Sequence, residues 1–283
     1  MTTESPRDTD APRARGVAGP LERDAEAAVA AFFAERLASP VGLDVWTRRH
    51  TGIDLPDQDP CEYCPEQLAL MRQFARVSPL LTITSYDLQR HAKRAAEVGV
   101  DMAPTTIIRS AGRSLQFVGM ADGLLLPAFM DVMSYFSLEA TPLADESLQV
   151  LSAIEAPLDI ELIVAPYDGY SAHMMRLTAA LAVESRHVRL RIVDATAYPI
   201  FAAKHGVTSV PVLTIAGRRF DGVWIEPELL RQVKRIVAGN TEPVHRTQPA
   251  SAPFVTEVEA RRMAAEAPES NPPAPGLYIP GRD

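Results

Sequence analysis

Asp87-Leu-Gln-Arg-His-Ala-Lys-Arg-Ala-Ala-Glu-Val-Gly-Val-Asp-Met-Ala-Pro104 is answered by Asp194-Ala-Thr-Ala-Tyr-Pro-Ile-Phe-Ala-Ala-Lys-His-Gly-Val-Thr-Ser-Val-Pro211. At an offset of 107 residues the agreements are Asp87/Asp194, Ala95/Ala202, Ala96/Ala203, Gly99/Gly206, Val100/Val207 and Pro104/Pro211. Working outward, Cys61-Glu62-Tyr63-Cys64 lies 43 residues before Pro104, and Tyr167-Asp168-Gly169-Tyr170 lies 44 residues before Pro211. A period of about a hundred residues means tandem units rather than a solenoid, whose repeats are shorter. The chain's two cysteines form one C-x-x-C, and its counterpart carries tyrosine at both sulfur positions. Only the first unit is equipped to exchange electrons.

Around this repeat the chain has room for two cores of ordinary domain size in its 283 residues. A hydrophobic content of 47% with 23% charged residues is that of a globular protein. No apolar run reaches the ~18 residues that span a membrane, so no membrane partner is expected. A formal charge of −8 argues against nucleic acid, whose binding rests on clustered Lys and Arg. Met1 to Pro20 has no apolar h-region. With two cysteines three apart, that points to redox or metal chemistry in a reducing, cytoplasmic setting.

The pattern divides the chain into a disordered lead-in (1–20), a unit bearing the cysteines (21–140), a unit without them (141–238) and a mostly disordered Pro/Ala-rich tail (239–283). In the first unit a helix from Leu21 stops at Pro40, and Val41–Trp46 reads as a strand. A polar loop with Asp54, Asp57 and Asp59 then leads to the cysteines, which open a helix over Pro65–Val77. A strand at Leu80–Ser85, a helix over Asp87–Val98 ended by Gly99, a hairpin turning at Ala111-Gly112-Arg113 and a helix near Leu126–Phe136 complete it. The second unit repeats the order after a connecting helix near Ala144–Ile154. It runs Asp159–Ala165, helix Ala172–Glu184, strand Arg189–Asp194, helix Ile200–His205, a hairpin at Ala216-Gly217-Arg218 and helix Glu226–Val237. The result is α/β: a mixed sheet covered by helices in each unit. The tail offers one short helix, Phe254–Glu266, and too little apolar area to offset the entropy of ordering. Its terminal Leu277-Tyr278-Ile279 makes residues 271–283 either a docking peptide or a solubilising end.

A C-x-x-C between strand and helix sets the first sulfur where unpaired N–H groups and the helix dipole favour its anion. The thiolate is the nucleophile of disulfide exchange, so Cys61 attacks and Cys64, one turn on, resolves. A zinc site asks for four ligands. No second cysteine pair exists, and His50, His91, His173, His187, His205 and Asp59 show no metal-binding spacing, so no metal is expected. A pair of buried, inert cysteines is the other alternative. Three aspartates near Cys61 would raise its pKa against the dipole; in a solvated loop their effect is small. Pro104, in Met102-Ala103-Pro104-Thr105, enters a strand where proline needs a special backbone turn, and a cis peptide would present the Ala103 backbone to a partner strand. Glu62, Tyr63, Ala103 and Pro104 are the expected substrate-binding surface.

Taken together, Pro40-Val41 before the first strand, Cys61-Glu62-Tyr63-Cys64, Ala103-Pro104-Thr105 and Phe117-Val118-Gly119 resemble the thioredoxin fold. Two such units in tandem resemble the glutaredoxin-like protein disulfide oxidoreductases of archaea and bacteria, with the N-terminal domain of the alkyl hydroperoxide reductase flavoprotein similar in architecture. The resemblance covers residues 21–237. It implies disulfide reduction, oxidation or isomerisation on a disulfide-containing protein, Cys61 nucleophilic, Cys64 resolving and Pro104 cis. Family members carry a C-x-x-C in each unit; here Tyr167, Asp168, Gly169 and Tyr170, with Pro211, form a degenerate second site. That site is either a scaffold whose tyrosines cap the helix start or a docking surface. No Gly-rich dinucleotide fingerprint follows a strand, so no flavin or nicotinamide cofactor is expected, and electrons come from a separate thiol reductase or thiol pool. The alternative is a redox-sensitive adaptor whose second unit and tail dock a partner.

Overall fold

The computed structural model describes residues 19–48, 61–240, 242, 250–256, 258, 259 and 262. The Asp-rich loop and Leu277-Tyr278-Ile279 lie outside the described residues. The first unit runs α1 (Arg23–Arg36), β1 (Val41–Thr47), α2 (Cys64–Val77), β2 (Leu81–Asp87), α3 (Ala92–Glu97), β3 (Thr105–Ser110), β4 (Arg113–Val118) and α4 (Leu125–Leu138). After α5 (Asp145–Ser152) the second runs β5 (Leu158–Val164), α6 (Gly169–Glu184), β6 (Val188–Asp194), α7 (Pro199–Lys204), β7 (Ser209–Val210), β8 (Val212–Ile215), β9 (Arg218–Asp221) and α8 (Glu226–Val237). A last short strand, β10, is Ala252–Pro253.

Eight strands form one sheet in the order β2-β1-β3-β4-β6-β5-β8-β9. Each half has the same internal pattern. The parallel pair β1–β2 with antiparallel β3 and β4 is matched by β5–β6 with β8 and β9. The halves are sewn together by a parallel pairing, Leu115–Val118 of β4 against Leu190–Val193 of β6. Both hairpins turn through a positive-φ Ala-Gly pair, Ala111 (48°) and Gly112 (75°), then Ala216 (47°) and Gly217 (76°). Positive φ at both central residues gives the two-residue turn whose twist matches the strands it joins.

The sequence leads one to expect two cores, and the structure has one large core that crosses the junction. Phe33, Leu43, Leu70 and Phe74 of the first unit belong to the same buried cluster as Leu162, Met174, Leu181 and Leu213 of the second. Its centre is α4 against α6, where Phe129, Val132 and Met133 meet Met174, Met175 and Ala179, each with no exposed surface. Alanines on α6 let a helix with almost no exposed face lie flat on the sheet.

Two helices begin later than the residues suggest. The expected helix from Asp87 starts at Ala92, because Asp87 still pairs with Thr47 as the last residue of β2 and its carboxylate then accepts the Arg90 N–H (2.8 Å) in a turn. In the expected tail helix from Phe254, residues 254–256 following strand β10 are not helical, and the helical residues described are 258, 259 and 262. Thr256 and Glu259 exchange bonds as a capping box: Thr256 N–H to Glu259 Oε2 (2.9 Å) and Glu259 N–H to Thr256 Oγ1 (3.4 Å). The segment 250–256 is thus ordered against the second unit rather than part of a formless tail.

Candidate active site

Cys61 and Cys64 are joined as a disulfide, their Cα atoms 5.4 Å apart. Cys64 is the first residue of α2 and Pro65 the next, so Cys61 sits in the turn before the helix rather than in it. Cys61 is half-buried and Cys64 is 3% exposed. The inner sulfur receives the Arg48 N–H at 3.2 Å, and the outer sulfur lies 3.0 Å from the Ala103 carbonyl oxygen. A reduced Cys61 would find a hydrogen-bond acceptor there.

The backbone at Ala103 is held from several sides. Ala103-Pro104 is cis, as is Val210-Pro211 in the second unit. Thr105 donates its hydroxyl to the Met102 carbonyl at 2.7 Å, closing the turn. Gly119 N–H reaches the Pro104 carbonyl at 3.0 Å, as Gly222 N–H reaches Pro211 at 2.9 Å. Gln67, one turn past Cys64 and fully buried, gives its amide N–H to Thr106 Oγ1 (2.9 Å) and accepts the Ala121 N–H (3.1 Å). That side chain ties the start of α2 to the strand that follows Pro104, so sulfurs and cis-proline form one rigid unit.

A cleft of about 470 Å³ opens over the outer sulfur. Its near wall is Cys61, Glu62, Tyr63, Met102, Ala103 and Pro104, which brings the four expected substrate-contacting residues together with the outer sulfur. The far wall comes from the other unit: Tyr198, Pro199, Ile200, Phe201 and Lys204. Reading the sequence missed all five. They reach the cleft because β4 pairs with β6, which sets the residues after Asp194 beside those before Pro104, and no residue pattern announces that pairing. Ile200 is 67% exposed, and the Tyr198 hydroxyl lies 3.5 Å from the Pro104 carbonyl oxygen. Burial lifts the Tyr198 phenol above its usual range, with the charge of Asp194 adding to it, so the hydroxyl stays protonated. Across the junction Arg191 pairs with Asp101 at 2.7 Å and touches the Met102 sulfur.

The second site is built differently. Asp168, not a tyrosine, caps α6: its carboxylate accepts the N–H groups of Tyr170 (3.1 Å) and Ser171 (2.7 Å). Tyr170 is exposed, while the Tyr167 hydroxyl engages residues 253 and 255. Pro211 is buried. Among the described residues no three His, Cys, Asp or Glu side chains gather as metal ligands, and no helix is long and apolar enough to cross a membrane.

No family model matches the sequence, and neither does any curated protein. Solved structures do. A protein disulfide oxidoreductase from Aeropyrum pernix K1 superposes with a TM-score of 0.68 at 25% identity, over 78% of this chain and 96% of that one. This is a tandem thioredoxin fold. The alkylhydroperoxide reductase protein AhpF from Enterococcus faecalis shares that fold, with a TM-score of 0.65 at 17% identity over 75% of this chain and 99% of the other. A structure described as the NTD_N/C domain of AhpF gives 0.64 at 16% identity, with the same coverage of both chains. The thioredoxin-fold units that the resemblance implies are therefore present, with a redox-capable cysteine pair in the first.

Proposed function

We propose that this chain is a thiol–disulfide oxidoreductase acting on protein disulfides through a single centre, Cys61/Cys64. The observation that carries the proposal is the asymmetry of the two sulfurs. One borders an open cleft and the other is buried directly behind it. In the reductive direction the Cys61 thiolate attacks one sulfur of a client disulfide. The client S–S bond breaks and its other sulfur leaves as a thiolate that takes a proton from water. Cys64, as thiolate, then attacks the Cys61 sulfur, forms the Cys61–Cys64 bond and releases the second client sulfur. The client gains two electrons and two protons. A separate thiol reductase or thiol pool in a reducing cytoplasm restores the dithiol, and the same steps run backwards when the disulfide form meets a dithiol client.

Glu62, Tyr63, Ala103 and Pro104 are the surface that receives the client backbone, and the second unit supplies the opposite wall. We assign the units to 21–140 and 141–238. Insulin reduction by dithiothreitol tests the activity: the wild-type chain accelerates it, Cys61→Ser abolishes the acceleration, and an unaffected Cys61→Ser variant would refute the assignment.

A further inference from the structure

The second unit has no cysteine, yet its groove is filled. In the first unit the residues before the cis-proline, Met102 and Ala103, face an open cleft. In the second, the residues before the cis-proline form β7 and pair antiparallel with β10, Val210 with Ala252 and Ser209 with Pro253. The pairing continues beyond the strand: Phe254 donates its N–H to the Thr208 carbonyl (3.1 Å), and the Ala250 carbonyl accepts from Val223 (2.8 Å). Tyr167, which the sequence repeat sets opposite Cys61, reads the same segment from the other side. Its hydroxyl accepts the Val255 N–H at 2.8 Å and donates to the Pro253 carbonyl at 3.1 Å. Ala252 and Phe254 rest on an apolar patch that includes Ala202, Val207 and Val210.

The backbone before the second cis-proline and the Tyr167 side chain thus both hold an extended peptide by its main chain. We propose that the second unit is a peptide-binding module whose groove is occupied in cis by residues 250–256. The ligand it takes in exchange is an extended, uncharged segment of a client protein, with a small residue followed two positions later by an aromatic one. Main-chain bonds of this kind give affinity and the alternate side chains give selectivity. The hold is light: every residue from 251 to 256 keeps part of its surface exposed, and only two residues pair as a strand. The groove stands independently of any thiol chemistry; only the nature of the exchanged ligand, a disulfide-bearing client, rests on the oxidoreductase reading.

The test uses the full chain with Cys61→Ser and Cys64→Ser, so that peptide binding is separated from redox activity. Phe254→Asp with Val255→Pro unplugs the groove by removing the aromatic anchor and the N–H given to Tyr167. A fluorescein-labelled peptide, Ala-Ser-Ala-Pro-Phe-Val-Thr, is the probe. A tethered segment competes at an effective concentration on the order of millimolar, so the unplugged chain should bind the probe about tenfold or more tightly than the plugged one. Adding Tyr167→Phe should weaken that binding about fivefold. Equal affinity of plugged and unplugged chains, with native circular dichroism in both, overturns the proposal. So does a wild-type dimer that becomes monomeric on unplugging, which would assign the segment to a second copy. Hydrogen exchange on the unmutated chain decides the matter should the unplugged variant not fold. The Phe254 and Val255 amides should exchange together, about 100-fold or more faster than those of β5 and β6. Exchange as slow as in those strands would make the segment a fixed part of the fold.

Discussion

Asp194 closes β6 in a place where water does not reach, 2% exposed at the junction of the two units. Burial, helped by the neighbouring charge of Asp122, raises its carboxyl from 3.8 to about 7 against the opposing bonds from Thr196. The folded chain therefore keeps a proton that the unfolded chain has released. Stability from this group is fully present below the unfolded value and is lost as pH climbs through about 7. Asp194→Asn, which keeps an oxygen for the Thr196 N–H, should flatten that decline and raise the melting temperature at pH 8 relative to wild type. Urea titrations across pH 4–8 measure it, and parallel pH profiles for the two chains would refute the assignment. Gly119 faces Asp194 and donates to the Pro104 carbonyl at a φ of 122°, and a Cβ there would meet the Asp194 Cβ at 2.6 Å. Gly119→Ala should cost about 2–4 kcal/mol in denaturant unfolding; a loss within 0.5 kcal/mol, about the scatter of neutral surface changes, would contradict this packing.

The elements that repeat are those the residues announce. β2 and β6, like α3 and α7, occupy corresponding stretches 107 residues apart, fixed by the shared Asp, Ala-Ala, Gly-Val and Pro. The C-x-x-C and the cis-proline were legible for the same reason: few residue types do those jobs. What was not legible depends on contacts between distant segments. The β4–β6 pairing brings α7 to the cleft, and β10 is two residues long with a proline in it, a poor strand by propensity that pairs because β7 offers an open edge. The α7 start carries a consequence for specificity. Ile200 stands exposed opposite Cys61's side of the cleft, and on the proposed function it is a contact for a client's apolar surface. Ile200→Asp should raise KM for a protein disulfide by roughly tenfold, the value of one apolar side chain's burial, and leave oxidation of dithiothreitol unchanged. Equal KM values in wild type and variant would remove the second unit from substrate binding.

Across the described residues, one large core and one eight-stranded sheet join two units of which a single one holds cysteine. Shared burial between α4 and α6 should make calorimetric unfolding a single transition, and Phe129→Ala should destabilise it by about 3–5 kcal/mol without splitting it. Two resolved transitions would mean the halves fold separately. The proposed division of labour is sharper still: a nucleophile and a resolving thiol in the first unit, and a companion without cysteine that supplies the far wall of the cleft. Incubating reduced Cys64→Ser and reduced Cys61→Ser with a disulfide-bonded protein and weighing the products by intact mass spectrometry tests it most directly. The Cys64→Ser chain should accumulate a covalent one-to-one adduct through Cys61, released by dithiothreitol, and the Cys61→Ser chain should accumulate none. An adduct on Cys64 alone, or equal adducts on both, would contradict the account.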